Sequence, residues 1–406
     1  MAAATTSREV VITGAGVVSP LGCSWEEFSS ALRLGTSGIG PVTTLDLSAS
    51  PARVGAEVRD LRADERLGGK GIKYVMRGTR LLTVGVQQAL QDAGLEDEET
   101  WAETGLIVGT AHGNFPQTTD YTQKIFTSDP TDLLPMEGFD AALNSATNFA
   151  AVRFKLQACV STVSSGFASS ADALGLAAGL IRSGQTTRVV AGGMEQLSLD
   201  AFLLAGEEGR LAHGKADGLS APYDRLRQGF VLGEGCYLFV LEDRDAARAR
   251  GARIRGTVAG YGSLFTGGRR AASSLETVMR LALERAGAAP RSVDLVSASA
   301  SSSREADFIE GAAIGGLLGP EVAVTAVKSM VGECMGASGA LQTAAALVAI
   351  ESGTIPPTIT TTDVDPEIQP LALVSRPLAR AVRTVLVPSL DLQANSACLV
   401  VRSEHA

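Results

Sequence analysis

Two kinds of apolar run alternate along this 406-residue chain. Short β-branched runs, among them Val10–Thr13, Gly105–Gly109, Val189–Ala191, Leu238–Leu241, Val293–Ala298, Thr384–Val387 and Cys398–Val401, have the length and composition of buried strands. Longer runs repeat at helical spacing and end at a glycine: Leu81–Gly94, Ala173–Gly184, Leu275–Gly287 and Ala340–Gly353. Two of these, Ala173–Gly184 and Ala340–Gly353, are apolar all round and rich in alanine, the pattern of a helix buried on every side. Strands interleaved with helices predict α/β layering. The pattern also repeats. Helix Leu81–Gly94 and strand Gly105–Gly109 have their counterparts in Leu275–Gly287 and Val293–Ala298, and the two alanine-rich helices pair likewise. We place the joint in the charged stretch Arg248–Arg255, giving halves 1–255 and 256–406. Residues 114–148, rich in Thr, Asp and aromatics, read as a loop insertion in the first half, and Gly262–Arg270 as a short loop in the second.

Composition narrows the function more than the fold. A formal net charge of −9 and a pI near 5.1 argue against a nucleic-acid partner, which would need a basic face. Five cysteines (Cys23, Cys159, Cys236, Cys334, Cys398) without a CxxC spacing indicate neither a disulfide framework nor a metal site. No apolar run approaches the ~20 residues of a membrane span. The start of the chain lacks the basic-then-apolar pattern of an export signal, so a cytoplasmic protein without membrane attachment is expected.

Three ordered blocks carry a resemblance. They are Val10-Val11-Ile12-Thr13-Gly14-Ala15-Gly16-Val17-Val18-Ser19-Pro20-Leu21-Gly22, then the stretch from Ala221-Pro222-Tyr223-Asp224 to Gly233-Glu234-Gly235, then Lys328-Ser329-Met330 running through Gly336-Ala337-Ser338-Gly339. Together they resemble the β-ketoacyl synthases over nearly the whole chain. The resemblance implies a duplicated thiolase-like fold, layered α-β-α-β-α, with two mixed sheets around central buried helices.

Function has to be read from the site. Members of that family condense carrier-bound acyl units with one cysteine and two histidines. Matching the motifs residue by residue, Phe167 stands at the nucleophile's position, Ser299 at the first histidine's and Glu333 at the second's. Lys328 is retained. The three histidines, His112, His213 and His405, fall outside the motif positions. In the C-terminal loop Asp391, Leu392, Gln393 and Ala394 replace a glycine-rich segment that supplies an oxyanion-hole amide. Cys159 imitates a nucleophile motif but lies too far upstream, and its expected role is a small buried hydrophobe in a strand.

A ketosynthase-like chain without this machinery resembles the chain length factor, or ketosynthase-β, of type II polyketide synthases. That implies a heterodimer with a catalytic ketosynthase-α-type subunit, an acyl carrier protein as second partner, and no cofactor beyond the phosphopantetheine of that carrier. Phe115, Thr118, Thr119 and Thr122 would then border the partner's tunnel at the subunit interface. Chain length factors commonly carry glutamine where Phe167 stands, so that glutamine's role does not transfer. An alternative uses Glu333, Ser299 and Lys328 as a new acid/base set for acyl chemistry other than condensation.

Overall fold

The computed structural model describes residues 8–68, 72, 75–212, 219–267, 271–368, 370–391 and 393–405. The first half contributes strands β1 (Val10–Val18), β2 (Gly105–Gly109), β3 (Val160–Val163), β4 (Arg188–Glu195) and β5 (Gly235–Asp243). The second contributes β6 (Gly256–Phe265), β7 (Leu295–Ser297), β8 (Ala323–Thr325), the edge pair β9 (Ala372–Leu373), β10 (Thr384–Leu390) and β11 (Asn395–Arg402). The first sheet runs β3-β2-β4-β5-β1 and the second β8-β7-β10-β11-β6, with β9 added at its edge. Three strands are parallel in each, β3, β2 and β4 against β8, β7 and β10. The last two of each run antiparallel, so the halves share one topology. A two-residue ladder, Val11 with Thr257 and Ile12 with Gly256, joins β1 to β6 and makes the sheets continuous at that corner.

The helices that matter for the site are α1 (Arg77–Asp92), α2 (Phe115–Thr127), α3 (Pro135–Asp140), α4 (Ser145–Arg153), α5 (Ser169–Arg182), α6 (Ala272–Arg285), α7 (Arg304–Leu318) and α8 (Ser338–Ser352). Helices α5 and α8 lie between the sheets in a core shared by Ile12, Ala191, Phe239, Val387 and Leu399. Helix α1 covers the outer face of the first sheet, and α6 with α7 the outer face of the second. The result is the five-layer α-β-α-β-α thiolase-like fold. The two central helices approach closely because their contact is built from small residues: a Cβ on Gly339 would lie 2.8 Å from Ala171. From Ser338 to Ala349 every residue of α8 is buried.

The structure corrects the local reading in three places. Strand β1 continues to Val18 through Gly14 and Gly16, which serve as close-contact sites and not as a turn. A Cβ at Gly16 would sit 2.0 Å from the Gly85 carbonyl oxygen of α1. Residues 114–148 are mainly helical: α2 and α3 each begin with a proline in the first turn, where the missing N–H does no harm. Gly262 to Phe265 complete β6, while 268–270 lie outside the described residues. No helix among the described residues is long and apolar enough to cross a membrane.

A candidate active site without its chemistry

The turn Ser164-Ser165-Gly166-Phe167 delivers the chain from β3 into α5. Gly166 holds φ +62, a left-handed conformation that glycine adopts without strain. Phe167 therefore projects at the N-terminal end of the central helix, where a nucleophile would profit from the helix dipole. Its ring packs edge-on against Phe230, with centroids 6.2 Å apart. Beyond this aromatic pair lies an inner cavity bounded by Ser299, Glu310, Glu333 and Leu390, so Phe167, Ser299 and Glu333 meet around one space. That space has a volume of about 10 Å³, the room of a single water. On the other side of Phe167, a cleft of about 280 Å³ opens outward past His112, Arg210, Met335, Asp391 and Gln393.

The inner groups are bound to one another. Lys328, 1% exposed, donates from Nζ to Glu333 Oε2 at 2.8 Å and to the Ser299 carbonyl at 2.9 Å. Glu333 Oε1 accepts from the Met335 amide at 3.0 Å and the Ser338 hydroxyl at 2.6 Å. Such an ion pair is self-neutralised and leaves no free base. Ser299 also donates its amide to Glu310 Oε1 at 2.6 Å, and its hydroxyl accepts from the Leu390 amide at 3.4 Å. The alternative acid/base set of Glu333, Ser299 and Lys328 is thus brought together, with its polar atoms engaged and almost no volume for a substrate.

Behind this layer lie buried acids that the motif comparison did not pick out. Burial pushes the Glu310 carboxyl up to about 7, although it accepts from the Tyr223 hydroxyl at 2.7 Å. Burial likewise raises Asp307 to about 6, against the amides of Tyr223, Ser301 and Ser302 that bond to it. Glu195, fully buried and raised for the same reason, accepts from the amides of Ala111, His112 and Gly336, tying the end of β4 to the turn before α8. These carboxylates hold backbone loops in place. Glu234 does the same through Arg77 and the amides of Val58 and Leu197.

The altered C-terminal loop reaches the same turn. Asp391, 3% exposed, accepts the Phe167 amide on Oδ1 at 3.0 Å and the Gln393 amide on Oδ2 at 2.8 Å. A Cβ on Gly166 would fall 2.2 Å from Asp391 Oδ1, which shows how tightly the carboxylate is seated. Ala394 is buried with φ +75, keeping a left-handed conformation that a glycine would take at less cost. Leu392 lies outside the described residues, as does His213.

Other sequence candidates sit elsewhere. Cys159 is half-buried and precedes the edge strand β3, so it is not the buried strand residue expected; burial still raises its thiol, the opposite of what a nucleophile needs. Phe115, Thr118, Thr119 and Thr122 lie on α2, at the helical spacing that places them on one face. The three threonines lie on or near the surface, with Thr118 donating to the Ala141 carbonyl at 2.7 Å. His112 borders the outer cleft and stacks obliquely on Phe115, centroids 5.2 Å apart.

Comparison with known proteins accounts for this frame. Residues 7–247 match the family described as "Beta-ketoacyl synthase, N-terminal domain" and residues 252–362 match "Beta-ketoacyl synthase, C-terminal domain". The chain is 34% identical to the "Actinorhodin polyketide putative beta-ketoacyl synthase 2" of Streptomyces coelicolor, over 93% of this chain and 94% of that protein. It is 33% identical to a 3-oxoacyl-(acyl-carrier-protein) synthase 2 of Coxiella burnetii, over 87% and 88%. Among solved structures, "The ishigamide ketosynthase/chain length factor" superposes with a TM-score of 0.92 at 30% identity, covering 98% of this chain and all of that one. On fold, motif order and these matches together, the chain belongs to the β-ketoacyl synthase family.

Proposed function

We propose that this chain is a non-condensing chain length factor that pairs with a catalytic ketosynthase in carrier-dependent polyketide or polyene biosynthesis. The observation that carries the reading is the closed inner site. Phenyl, hydroxyl and carboxylate meet where thiol and imidazole would have to act, around a cavity of about 10 Å³. Without a nucleophile, and without an acyl-sized space behind Phe167, the chain's remaining contribution to a ketosynthase is shape. The ketosynthase/chain length factor neighbour and the polyketide synthase relative support the same assignment.

Its partner surface follows from what is left uncovered. Phe126 is 83% exposed, Met136 65%, Phe139 69% and Val152 79%. These apolar side chains belong to α2, α3 and α4, next to the open edge of β3, whose unpaired backbone groups invite a further strand. Seating a catalytic ketosynthase-α-type subunit there would put the face of α2 bearing Phe115, Thr118, Thr119 and Thr122 against the partner's tunnel. Those side chains then set where a growing chain stops, by excluded volume. The acyl carrier protein, with its phosphopantetheine, serves the partner's active site in the cytoplasm. The test is product length from the reconstituted pair. Thr118→Trp and Thr122→Trp should shorten the product and Phe115→Ala lengthen it. Unchanged product length in all three, with the complex intact, would refute the reading.

A further inference from the structure

The oxyanion position of this site is filled from within. An acyl-transfer site needs an amide N–H aimed at the oxygen that becomes negative as the nucleophile attacks. At the turn before α5, Phe167 and Asp391, the acceptor of its amide, both line the outer cleft at the head of the buried helix, which makes this N–H the donor nearest the nucleophile's place. Here Asp391 Oδ1 takes that N–H at 3.0 Å. The carboxylate cannot easily swing away, because it is 3% exposed, anchored through Oδ2 to the Gln393 amide, and wedged against Gly166. A negative oxygen already occupies the position where a negative oxygen would have to form.

We infer that Asp391 is a resident oxyanion mimic that blocks acyl transfer at this turn independently of the missing thiol. The site is then closed twice, by a ring where sulfur should be and by a carboxylate where the substrate oxygen should be. Restoring a thiol at position 167 would undo only the first. This inference rests on Phe167 standing in the nucleophile's place and not on any role in chain length. It can therefore fail while the proposed function stands, or hold while that function fails.

The step in question is simple. The attacking sulfur bonds to the acyl carbon of a thioester as the carbonyl electron pair moves onto oxygen. That pair then returns, the bond to the original thiol sulfur breaks, and the departing thiolate takes up the proton lost by the attacker. Alkylation of the same sulfur by iodoacetamide displaces iodide and forms no oxyanion. The ratio of the two rates therefore isolates the oxyanion site from access and from thiolate fraction.

The experiment compares full-length Phe167→Cys with Phe167→Cys/Asp391→Ala, and with Phe167→Cys/Asp391→Gly as a second version should the alanine variant fold poorly. Each is treated with a short-chain acyl thioester of N-acetylcysteamine and, separately, with iodoacetamide, and modification at position 167 is followed by peptide mass spectrometry. Removing the carboxylate is expected to raise the thioester-to-iodoacetamide rate ratio by at least about tenfold, a conservative floor beneath the roughly 10²–10³ that one oxyanion donor supplies. If Asp391 merely closes a local turn, its replacement lowers thermal stability and leaves the ratio unchanged. An unchanged ratio in a folded double variant would overturn the inference.

Discussion

Replacing Lys328 with methionine should lower the melting temperature of this protein measurably, because the lysine closes a buried ion pair. In the native state its ammonium, 1% exposed, is shared between Glu333 and the Ser299 carbonyl. Methionine fills similar volume but strands the Glu333 carboxylate in a site 2% exposed, with only the Met335 amide and Ser338 hydroxyl beside it. Breaking one side of a buried pair costs about 3–5 kcal/mol. With an unfolding entropy of about 2.1 cal/mol/K per residue, a 406-residue chain loses about 1.2 °C per kcal/mol. The expected fall in Tm is thus about 4–6 °C. Lys328→Met/Glu333→Met removes both charges together, and an apolar pair of similar size is often no worse than the ion pair it replaces. The double variant should therefore melt well above the sum of the two single losses. Calorimetry on the four proteins closes the cycle. Additive losses, or a Lys328→Met shift below about 1 °C, would refute the reasoning and reopen Lys328 and Glu333 as a functional pair.

Two further predictions probe the buried acids and the uncovered surface. Glu310 titrates near 7 in the folded protein against an ordinary 4.5, so between those values the native state keeps a proton that the unfolded chain has released. Stability must then fall as pH rises through that window and level off above it; Glu310→Gln should flatten this part of a pH series of melts. The slope from Asp307, between 3.8 and about 6, should remain, so the flattening shows above pH 6. A slope unchanged by Glu310→Gln would contradict the assignment. On the surface, Phe126→Asp should leave the melting temperature within about 1 °C, since the ring makes few contacts within the chain at 83% exposure. The same change should weaken association with a co-expressed ketosynthase by at least about tenfold, and undiminished association would remove α2 from the interface.

Much of the architecture was legible because burial writes itself into composition. The alanine-rich runs announced α5 and α8, since helices packed on all sides at short distance tolerate only small residues, as Gly339 against Ala171 shows. The reading of β1 stopped too early at Gly14, because in one dimension a strand glycine cannot be told from a turn. The reason for Gly16 lies 69 residues away, at Gly85 in the α1 backbone it touches. Residues 114–148 were missed as helices for a related reason. The large apolar residues of α2 and α3, among them Phe126, Met136 and Phe139, face outward, so the stripe that marks a core-facing helix does not meet the core.

The site divides in the same way. Phe167, Ser299 and Glu333 could be placed by motif alone, and the structure sets them around one cavity. The sequence named Asp391 only as a departure from glycine. Its bond to the Phe167 amide joins positions 224 residues apart and has no local signal. Glu310 and Glu195 carry no motif either, and only their burial and the amides they accept set them apart from surface acids.

If condensation is beyond this chain by itself, decarboxylative carbon–carbon bond formation must depend on a partner. The purified protein, supplied with an acyl-loaded and a malonyl-loaded carrier protein, is assayed for labelled carbon dioxide and for the β-ketoacyl product. Neither should appear above the protein-free rate, and both should appear once a cysteine-bearing ketosynthase partner is added. Product from the isolated chain would show that it condenses without a cysteine at position 167 and would overturn the non-condensing reading.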